Sequence, residues 1–286
     1  MSLLSVEEAL DRIFAMLSPL DAEEVPLWDA NGRVLAAPVR AERDQPPFPA
    51  SAMDGYAVRA QDAHGGAKLR VIGEAVAGTA YHGAVAAGDA VRIFTGAPVP
   101  DGADRVVIQE DVRRDGDNIV ISPDADTQSY VRPRGNDFPA GAEIPAGTLL
   151  SPGQMSLAAA MNAGSVRVHR KPVVALLGTG DELVLPGEVP GPDQIIASNA
   201  FGLKAMLEGA GAEVRRLPIA RDNMAALETC FHLARGADLL VTTGGASVGD
   251  HDLVGQVAES LGLDRAFYRV AMRPGKPLMA GRVLDM

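Results

Sequence analysis

The chain has 286 residues, of which 47% are hydrophobic and 22% are charged. This length and composition allow a large core and about two domains. A formal net charge of −11, without a stretch rich in lysine and arginine, argues against a nucleic-acid binder. The single cysteine, Cys230, excludes an internal disulfide, and no apolar run approaches the roughly 18 residues of a membrane span. We therefore expect a cytoplasmic protein that binds neither nucleic acid nor membrane.

The first part of the chain combines one clear helix with many short β-like runs. Residues 5–18 carry apolar side chains at helical spacing behind a serine N-cap. Three prolines within residues 40–50 predict an extended crossover. Between about residues 57 and 139, short strands separated by Gly, Asp and Pro clusters predict a small barrel or sandwich. Residues 151–162 predict a second helix, with a proline in its first turn, before a further strand.

From Pro172 the pattern changes to strands alternating with helices. The runs VVALLG, EVRRLPI, DLLVTT and AFYRVAM predict strands, and the segments between them predict three helices. The second helix places Leu227, Cys230, Phe231 and Ala234 on one face, which predicts an inert, buried cysteine. Because the strands are largely apolar, we expect a parallel sheet with helices on both faces and DLLVTT near its centre. Ligands bind such sheets beyond the carboxyl ends of the strands.

Three loops are predicted at that edge of the sheet. DLLVTT is followed by Gly244 and Gly245, and then by Asp250 and Asp252. Bare backbone amides beside carboxylates suit an oxyanion and its magnesium ion, although a tight turn before a capped helix has the same pattern. GTGDEL follows the first strand, and RPGKP, in which both cations are adjacent to prolines, follows the last. Stiffened cations favour oriented anion binding, so we interpret the edge as a site for an anion and a metal ion.

Six segments of the chain resemble the molybdopterin molybdotransferases, the family of MoeA and the gephyrin E domain. They are PPFPASAMDGYAV, IFTGAPVPDGAD, VRPRGND, GTGDEL, TTGGASVGDHD and RPGKP, which follow the family's order between about Leu4 and Gly281. A related family, the competence-damage nicotinamide-nucleotide amidases, shares a TTGG-like strand end but lacks the SAMDGYA and FTGA segments. The resemblance to the molybdotransferases is therefore the more specific one.

The resemblance implies an enzyme whose substrates are adenylated molybdopterin and molybdate. Such an enzyme hydrolyses the adenylate with Mg²⁺, inserts molybdenum into the pterin dithiolene and releases AMP. The implied partners are a second copy in a homodimer and the pterin adenylyltransferase upstream. A scaffold that binds molybdopterin or dimerises without chemistry is the alternative.

The fold that the resemblance implies is α/β plus β, in an elongated multidomain chain. A discontinuous helical and extended region takes residues 1–50 and 140–171, and a β-barrel-like domain takes residues 51–139. A three-layer α/β molybdopterin-binding domain, like that of the adenylyltransferase, takes residues 172–286. Family members continue into a C-terminal β-domain, so the resemblance also implies a C-terminally truncated chain with an incomplete α/β domain.

Site residues are carried over from the family where the motifs match. Asp252 is expected to bind Mg²⁺, with Asp250 as a weaker candidate. Arg273 and Lys276 are expected to neutralise molybdate or phosphate oxygens. The residues expected to contact the pterin substrate are Gly178, Gly244, Gly245, Ser247, Pro274 and Pro277. The remaining residues expected to be catalytic, besides Asp252 and the two cations, are Asp54, Thr95, Asp137 and Glu182.

Several acidic and polar candidates also have a purely structural interpretation. Asp54, which precedes a glycine, suits an Asx turn, and Thr95 suits a bond within its own tight turn. Asp137 suits a surface ion pair with a neighbouring arginine. Glu182 suits the first turn of a helix. Asp222, which matches a further acidic position of the family, is better explained as the N-cap of the helix that follows it.

Overall fold

The computed structural model describes residues 3–245, 253–284 and 286. No helix within these ranges is long and apolar enough to cross a bilayer. The α-helices of the described residues are α1 (Val6–Met16), α2 (Pro152–Ala160), α3 (Asn199–Gly209), α4 (Met224–Leu233) and α5 (Leu253–Ser260).

The strands are short, and most lie in the first two thirds of the chain. In chain order they are β1 (Ala22–Pro26), β2 (Val39–Arg40), β3 (Ala50–Ser51), β4 (Gly55–Val58), β5 (Lys68–Ala75), β6 (Asp89–Ile93), β7 (Arg105–Ile108), β8 (Val112–Asp115), β9 (Asn118–Ile121), β10 (Val131–Arg132), β11 (Glu143–Ile144), β12 (Ser165–His169), β13 (Val173–Gly178), β14 (Leu183–Val184), β15 (Ile195–Ile196), β16 (Glu213–Arg216), β17 (Leu239–Thr243), β18 (Asp264–Tyr268) and β19 (Met279–Arg282).

The chain divides into two compact units. One, which we call the α/β unit, consists of Met1–Glu24, Gly32–Val34 and Arg167–Met286. The other, the β unit, consists of Val25–Asn31 and Leu35–Val166. Each unit has its own buried apolar clusters, and each is described separately below.

The β unit is built around a curled, half-barrel sheet of six strands in the order β7-β4-β6-β5-β9-β8. Neighbouring strands are antiparallel except for β5 and β6, which are parallel. Successive residues point to opposite faces: Ala57 and Val106 belong to one apolar cluster, and Val58 and Val107 to the other. Strand β4 is therefore buried on both faces. The predicted prolyl crossover is confirmed, since no helix or strand lies between β2 and β3.

Helix α1 of the α/β unit starts where the sequence predicts it. Ser5 Oγ accepts a hydrogen bond from Glu8 N at 3.1 Å, and the Glu8 carboxylate accepts one from Ser5 N at 2.8 Å. This capping box satisfies two backbone N–H groups that the helix itself leaves free. Ala9 of the helix packs with Phe267 and Val270 in a small apolar cluster.

The core of the α/β unit surrounds a parallel sheet in the order β16-β13-β17. Ala175 and Leu177 of β13 point into a cluster that contains α4 and α5 side chains, while α3 contacts β13 and β16. Leu176, between those two residues, lines a cavity with the first turn of α3. Helices therefore cover both faces of β13, as the sequence predicts. The predicted core face of α4, including Cys230, is also confirmed, and burial raises the pKa of the Cys230 thiol.

Two predictions about this sheet are wrong. Among the described strands, β13 is the central one and β17 is an edge, whereas the apolar DLLVTT run had indicated a central strand. The AFYRVAM run does not extend the parallel sheet either: β18 pairs antiparallel with β19, in a separate two-stranded sheet. Hydrophobicity does not specify what a strand packs against: Phe267 of β18 packs with Ala9 of α1.

Candidate functional site

The carboxyl ends of β13 and β17 lie side by side. Gly178 pairs with Thr243, and Thr179 N donates to Thr243 O at 2.9 Å. The segment that follows β16 joins them, because Gly180 N donates to Ala220 O at 3.1 Å. The GTGDEL and TTGG loops, predicted to share one edge of the sheet, therefore do so.

The two glycines after β17 are required by the backbone itself. Gly244 and Gly245 have φ values of +88° and +65°, a region that residues with a Cβ adopt at a cost. A Cβ on Gly244 would lie 2.4 Å from Thr179 O, and one on Gly245 would lie 2.6 Å from Val254 Cγ2. The glycines therefore allow the TTGG loop to pass directly against the GTGDEL loop.

A cavity of about 230 Å³ opens where these loops meet α3. Its polar lining comes from four places: the GTGDEL loop, the end of β16, the end of β17 and the start of α3. The predicted residues Gly178, Glu182 and Gly244 all line it. Its apolar lining includes Leu176, Ile195, Ile196, Phe201, Leu217 and Ile219. A pocket with an apolar wall and a polar end suits a flat ring that carries a charged group.

Glu182 is not in a helix, which rejects its interpretation as a first-turn acid. It lies in the turn before β14, and its backbone O accepts from Ile195 N at 2.7 Å. Its carboxylate folds over Gly180, where a Cβ would lie 2.3 Å from Glu182 Oε2. Its position in the cavity lining keeps it as a candidate for substrate contact.

Asp222 does not cap α4, so that prediction is also wrong. The N-cap is Asn223, whose side-chain oxygen accepts from Ala226 N at 2.9 Å. Asp222 N instead donates to Asp181 Oδ1 at 3.2 Å, and Arg221 donates to Asp181 O at 2.8 Å. Asp181 therefore ties the loop before α4 to the GTGDEL loop.

The RPGKP segment lies apart from the cavity lining. It connects β18 to β19, and Arg273, Pro274, Lys276 and Pro277 are all exposed. Neither cation has an ion-pair partner in the part of the chain that the structure describes. The expectation that RPGKP follows a strand of the parallel sheet is wrong, because its strands form their own sheet.

In the β unit, Asp54 and Thr95 are direct partners. Asp54 Oδ1 accepts from both Thr95 N and Thr95 Oγ1, each at 2.8 Å. The hydrogen bond from the Thr95 backbone has the largest effect, and that from the Thr95 hydroxyl the next; both lower the pKa of Asp54 below its ordinary value. Thr95 lies in the turn that Ala97 N closes on Phe94 O, but its hydroxyl and the Asp54 carboxylate bond to each other and not within their own turns, which rejects both turn interpretations. Arg92, stacked 4.6 Å from the Phe94 ring centroid, adds a weaker charge effect in the same direction.

Asp137 forms a surface ion pair with Arg132. Both side chains are more than 40% exposed, so the pair contributes little to stability. Arg134, the other arginine of the VRPRGND segment, pairs instead with Asp44. The structural interpretation of Asp137 is thus confirmed, and its site role stays a prediction.

The predicted magnesium ligands Asp250 and Asp252, together with Ser247, lie outside the described residues. Among the residues that are described, no group of three or more His, Cys, Asp or Glu side chains could hold a metal ion. Sequence reasoning missed two cavity residues, Thr179 and Arg216. Arg216 could have been found from its position, since it ends a strand at the same edge of the sheet.

The covered sheet and the cavity over its carboxyl ends define a ligand-binding α/β protein with an added β unit. Residues 4–162 match the MoeA N-terminal region (domain I and II), and residues 175–286 match a probable molybdopterin binding domain. The chain therefore belongs to the MoeA family.

Named relatives agree with this assignment. A molybdopterin molybdenumtransferase of Nostoc sp. is 40% identical over 96% of this chain, which spans 65% of that relative. One from Haemophilus influenzae is 35% identical over 98% of this chain and 70% of its own length. A molybdopterin biosynthesis MoeA structure from Pyrococcus horikoshii OT3 superposes with a TM-score of 0.82 at 30% identity, covering 98% of this chain and 72% of that one.

Proposed function

We propose that this protein acts in molybdenum cofactor biosynthesis as a molybdopterin molybdotransferase. Its substrates are adenylated molybdopterin and molybdate. Water cleaves the phosphoanhydride that joins AMP to the pterin phosphate, and AMP leaves. The two dithiolene thiols bind the molybdenum of molybdate, and one molybdate oxygen leaves as water with their protons. The observation that carries the proposal is the meeting of the GTGDEL and TTGG loops over one cavity, inside the segment that matches a molybdopterin binding domain. The names of the relatives support molybdenum transfer to molybdopterin, and the hydrolysis of the adenylate follows from the family resemblance alone.

Under this proposal the cavity holds part of the adenylated substrate. Gly178 and Gly244 lie in its lining, so the substrate contacts their backbone without interference from side chains. The proposed contacts with the substrate are Gly178, Gly244, Gly245, Ser247, Pro274 and Pro277. Glu182, in the same lining, is an acceptor for substrate hydroxyl or ring N–H groups.

Arg273 and Lys276 neutralise oxyanion charge in the proposed reaction. Both are exposed and free of ion pairs among the described residues, so their charges are available to phosphate or molybdate oxygens. Negative charge that develops as the phosphoanhydride breaks is stabilised by such fixed cations. Pro274 and Pro277 restrict the backbone on either side of Lys276.

Magnesium is the proposed cofactor, with Asp252 as its main ligand and Asp250 as the second. When bound, it supplies a Lewis acid to the phosphoryl oxygens. Asp54, Thr95 and Asp137 of the β unit are further proposed catalytic residues. The hydrogen bonds from Thr95 lower the pKa of Asp54 further below neutral and orient its carboxylate, which suits an acceptor for a substrate donor.

The finer architecture belongs to the same proposal. The chain is divided into a discontinuous helical region, a β-barrel-like domain over residues 51–139 and a three-layer α/β domain over residues 172–286. It acts as a homodimer and receives its substrate from the pterin adenylyltransferase. Both partners follow from the family resemblance.

The test is AMP release from adenylated molybdopterin, followed by chromatography, with the H. influenzae relative as positive control. We expect AMP to appear only when molybdate and Mg²⁺ are both present. A chain that binds the pterin but releases no AMP, while the control does, would instead support the scaffold alternative.

A further inference from the structure

The first turn of α3 faces the cavity without a cap. Ser198 precedes the helix with φ −92° and ψ −29°, and its side chain makes no capping hydrogen bond. Phe201 N donates to Ser198 O at 3.1 Å, but the N–H groups of Asn199 and Ala200 have no acceptor among the described residues. All four residues line the cavity. Free N–H groups at the positive end of an eleven-residue helix favour an anion.

A buried hydroxyl in the same cavity also has no partner. Thr179 is 1% exposed, and its Oγ1 makes no hydrogen bond with any described residue. Its backbone N–H is already used by Thr243 O at 2.9 Å. A buried hydroxyl without a hydrogen-bond partner is unfavourable. A ligand that formed a hydrogen bond with Thr179 Oγ1 would remove this cost, which indicates a binding site here.

Arg216 brings a cation to the cavity lining. It ends β16 and is exposed, and its guanidinium has no hydrogen bond or ion pair to any described residue. Its neighbour Arg215 differs, because it donates to Leu233 O at 3.4 Å and to Arg235 O at 3.0 Å. The carboxylate of Glu182 also lines the cavity, but it lies against Gly180.

We infer that the α3 N-terminus, Thr179 and Arg216 form a subsite for a phosphate ester, beside an apolar wall that includes Phe201. The identity of the ester rests on the proposed function: adenylated molybdopterin carries two phosphates, one on the nucleotide and one on the pterin. A phosphate has enough acceptor oxygens for helix N–H groups, a hydroxyl and a guanidinium together. The apolar wall suits the flat ring attached to it.

Calorimetric titration of the 286-residue chain with AMP, adenosine and inorganic phosphate tests the subsite. We expect AMP to bind and adenosine to bind at least tenfold more weakly, because adenosine lacks the phosphate. R216Q should raise the Kd for AMP by roughly tenfold, the value of one charge-assisted hydrogen bond. R215Q is the matched control and should leave the Kd unchanged.

A second variant separates binding from folding. T179V removes the unpaired hydroxyl at constant shape, so the melting temperature should not fall while the Kd for phosphate-bearing ligands rises. AMP that binds far better than inorganic phosphate would assign the nucleotide phosphate to the subsite. If AMP and inorganic phosphate bind equally tightly, and both depend on Arg216, the phosphate of the pterin would be assigned to the subsite.

The subsite would be overturned by equal Kd values for R216Q and R215Q, by adenosine binding as tightly as AMP, or by a chain that binds neither AMP nor phosphate. These outcomes are independent of AMP release from the full substrate. The subsite can therefore fail while the proposed function stands, and the reverse also holds.

Discussion

Asp54 and Thr95, which are 41 residues apart in the chain, share two hydrogen bonds of 2.8 Å at one carboxylate oxygen. The donors are the backbone N–H and the hydroxyl of the threonine. Both bonds favour the ionised carboxylate, so the pKa of Asp54 lies below its model-compound value of 3.8. The pair joins SAMDGYA to FTGA, two segments that the sequence identifies separately.

Thr95→Val is expected to raise the pKa of Asp54 toward its ordinary value, because one of its two bonds is lost. Carboxyl chemical shifts followed by NMR against pH measure it directly. Thr148→Val, which removes a hydroxyl bonded to Pro145 O in the same unit, is the control and should leave the titration of Asp54 unchanged. An unshifted pKa in Thr95→Val would show that the hydroxyl does not hold the carboxylate.

Gly244→Ala is expected to destabilise the protein by about 3 kcal/mol, because strain at positive φ adds to a clash with Thr179 O. Gly236→Ala is the matched control: its φ is +77°, but its Cβ would meet nothing within 4 Å. It should cost only about 1 kcal/mol. Urea unfolding measures both. Equal losses would contradict the close approach of the two loops.

Asn223→Ala is expected to cost about 1 kcal/mol in the free energy of unfolding, since it removes the cap of α4. Asp222→Ala should change it little, because the Asp222 side chain makes no hydrogen bond with any described residue and only its backbone N–H bonds to Asp181. Chemical unfolding of the two variants distinguishes the capping residues. A larger loss of stability in Asp222→Ala than in Asn223→Ala would show that Asp222 caps α4, as the sequence indicates.

Asp238→Asn is expected to lower stability by about 1–3 kcal/mol at pH 7. Asp238 accepts two bonds from Arg170, at 2.7 and 2.5 Å, and one from Val173 N at 2.8 Å. The hydrogen bonds from Arg170 have the largest effect on the pKa of Asp238 and lower it in the folded protein. The ionised Asp238 carboxylate therefore stabilises the fold fully at pH values above its pKa in the unfolded chain. This stabilisation is lost as the pH falls through the lower pKa that Asp238 has in the folded protein.

The pH dependence gives this prediction its control. The stability difference between the native chain and Asp238→Asn should shrink as the pH falls below about 4. Glu208→Gln, which breaks an exposed pair with Lys204, should change stability by under about 0.5 kcal/mol at any pH. A difference that is constant with pH would mean that the Asp238 charge is not what stabilises the fold.

Asp252→Ala is expected to lower magnesium-dependent AMP release by about 100-fold or more, since the proposed ligand of the metal is lost. His251→Gln, its neighbour, is the control and should retain activity. Circular dichroism of both variants checks that the fold is kept. Unchanged AMP release in Asp252→Ala would remove this residue from the proposed site.

Predictions from the sequence succeeded where local rules are sufficient. The capping box of Ser5 and Glu8 is specified within four residues, and the buried face of α4 follows from helical spacing. The meeting of GTGDEL and TTGG also followed, because parallel strands send their carboxyl ends to one edge. Asn223 was missed because two adjacent residues can both cap, and one residue of register decides between them.

The sequence by itself determined the alternation of helices and strands, the glycines after β17 and the motifs of the MoeA family. The tertiary structure alone decided that β17 lies at the edge of the parallel sheet among the described strands, that β18 pairs with β19, and that Thr95 binds Asp54. It also brought Thr179 and Arg216 to the cavity at the start of α3. The physical reason is that propensity and capping act over a few residues, whereas strand order and cavity lining depend on which distant surfaces pack together.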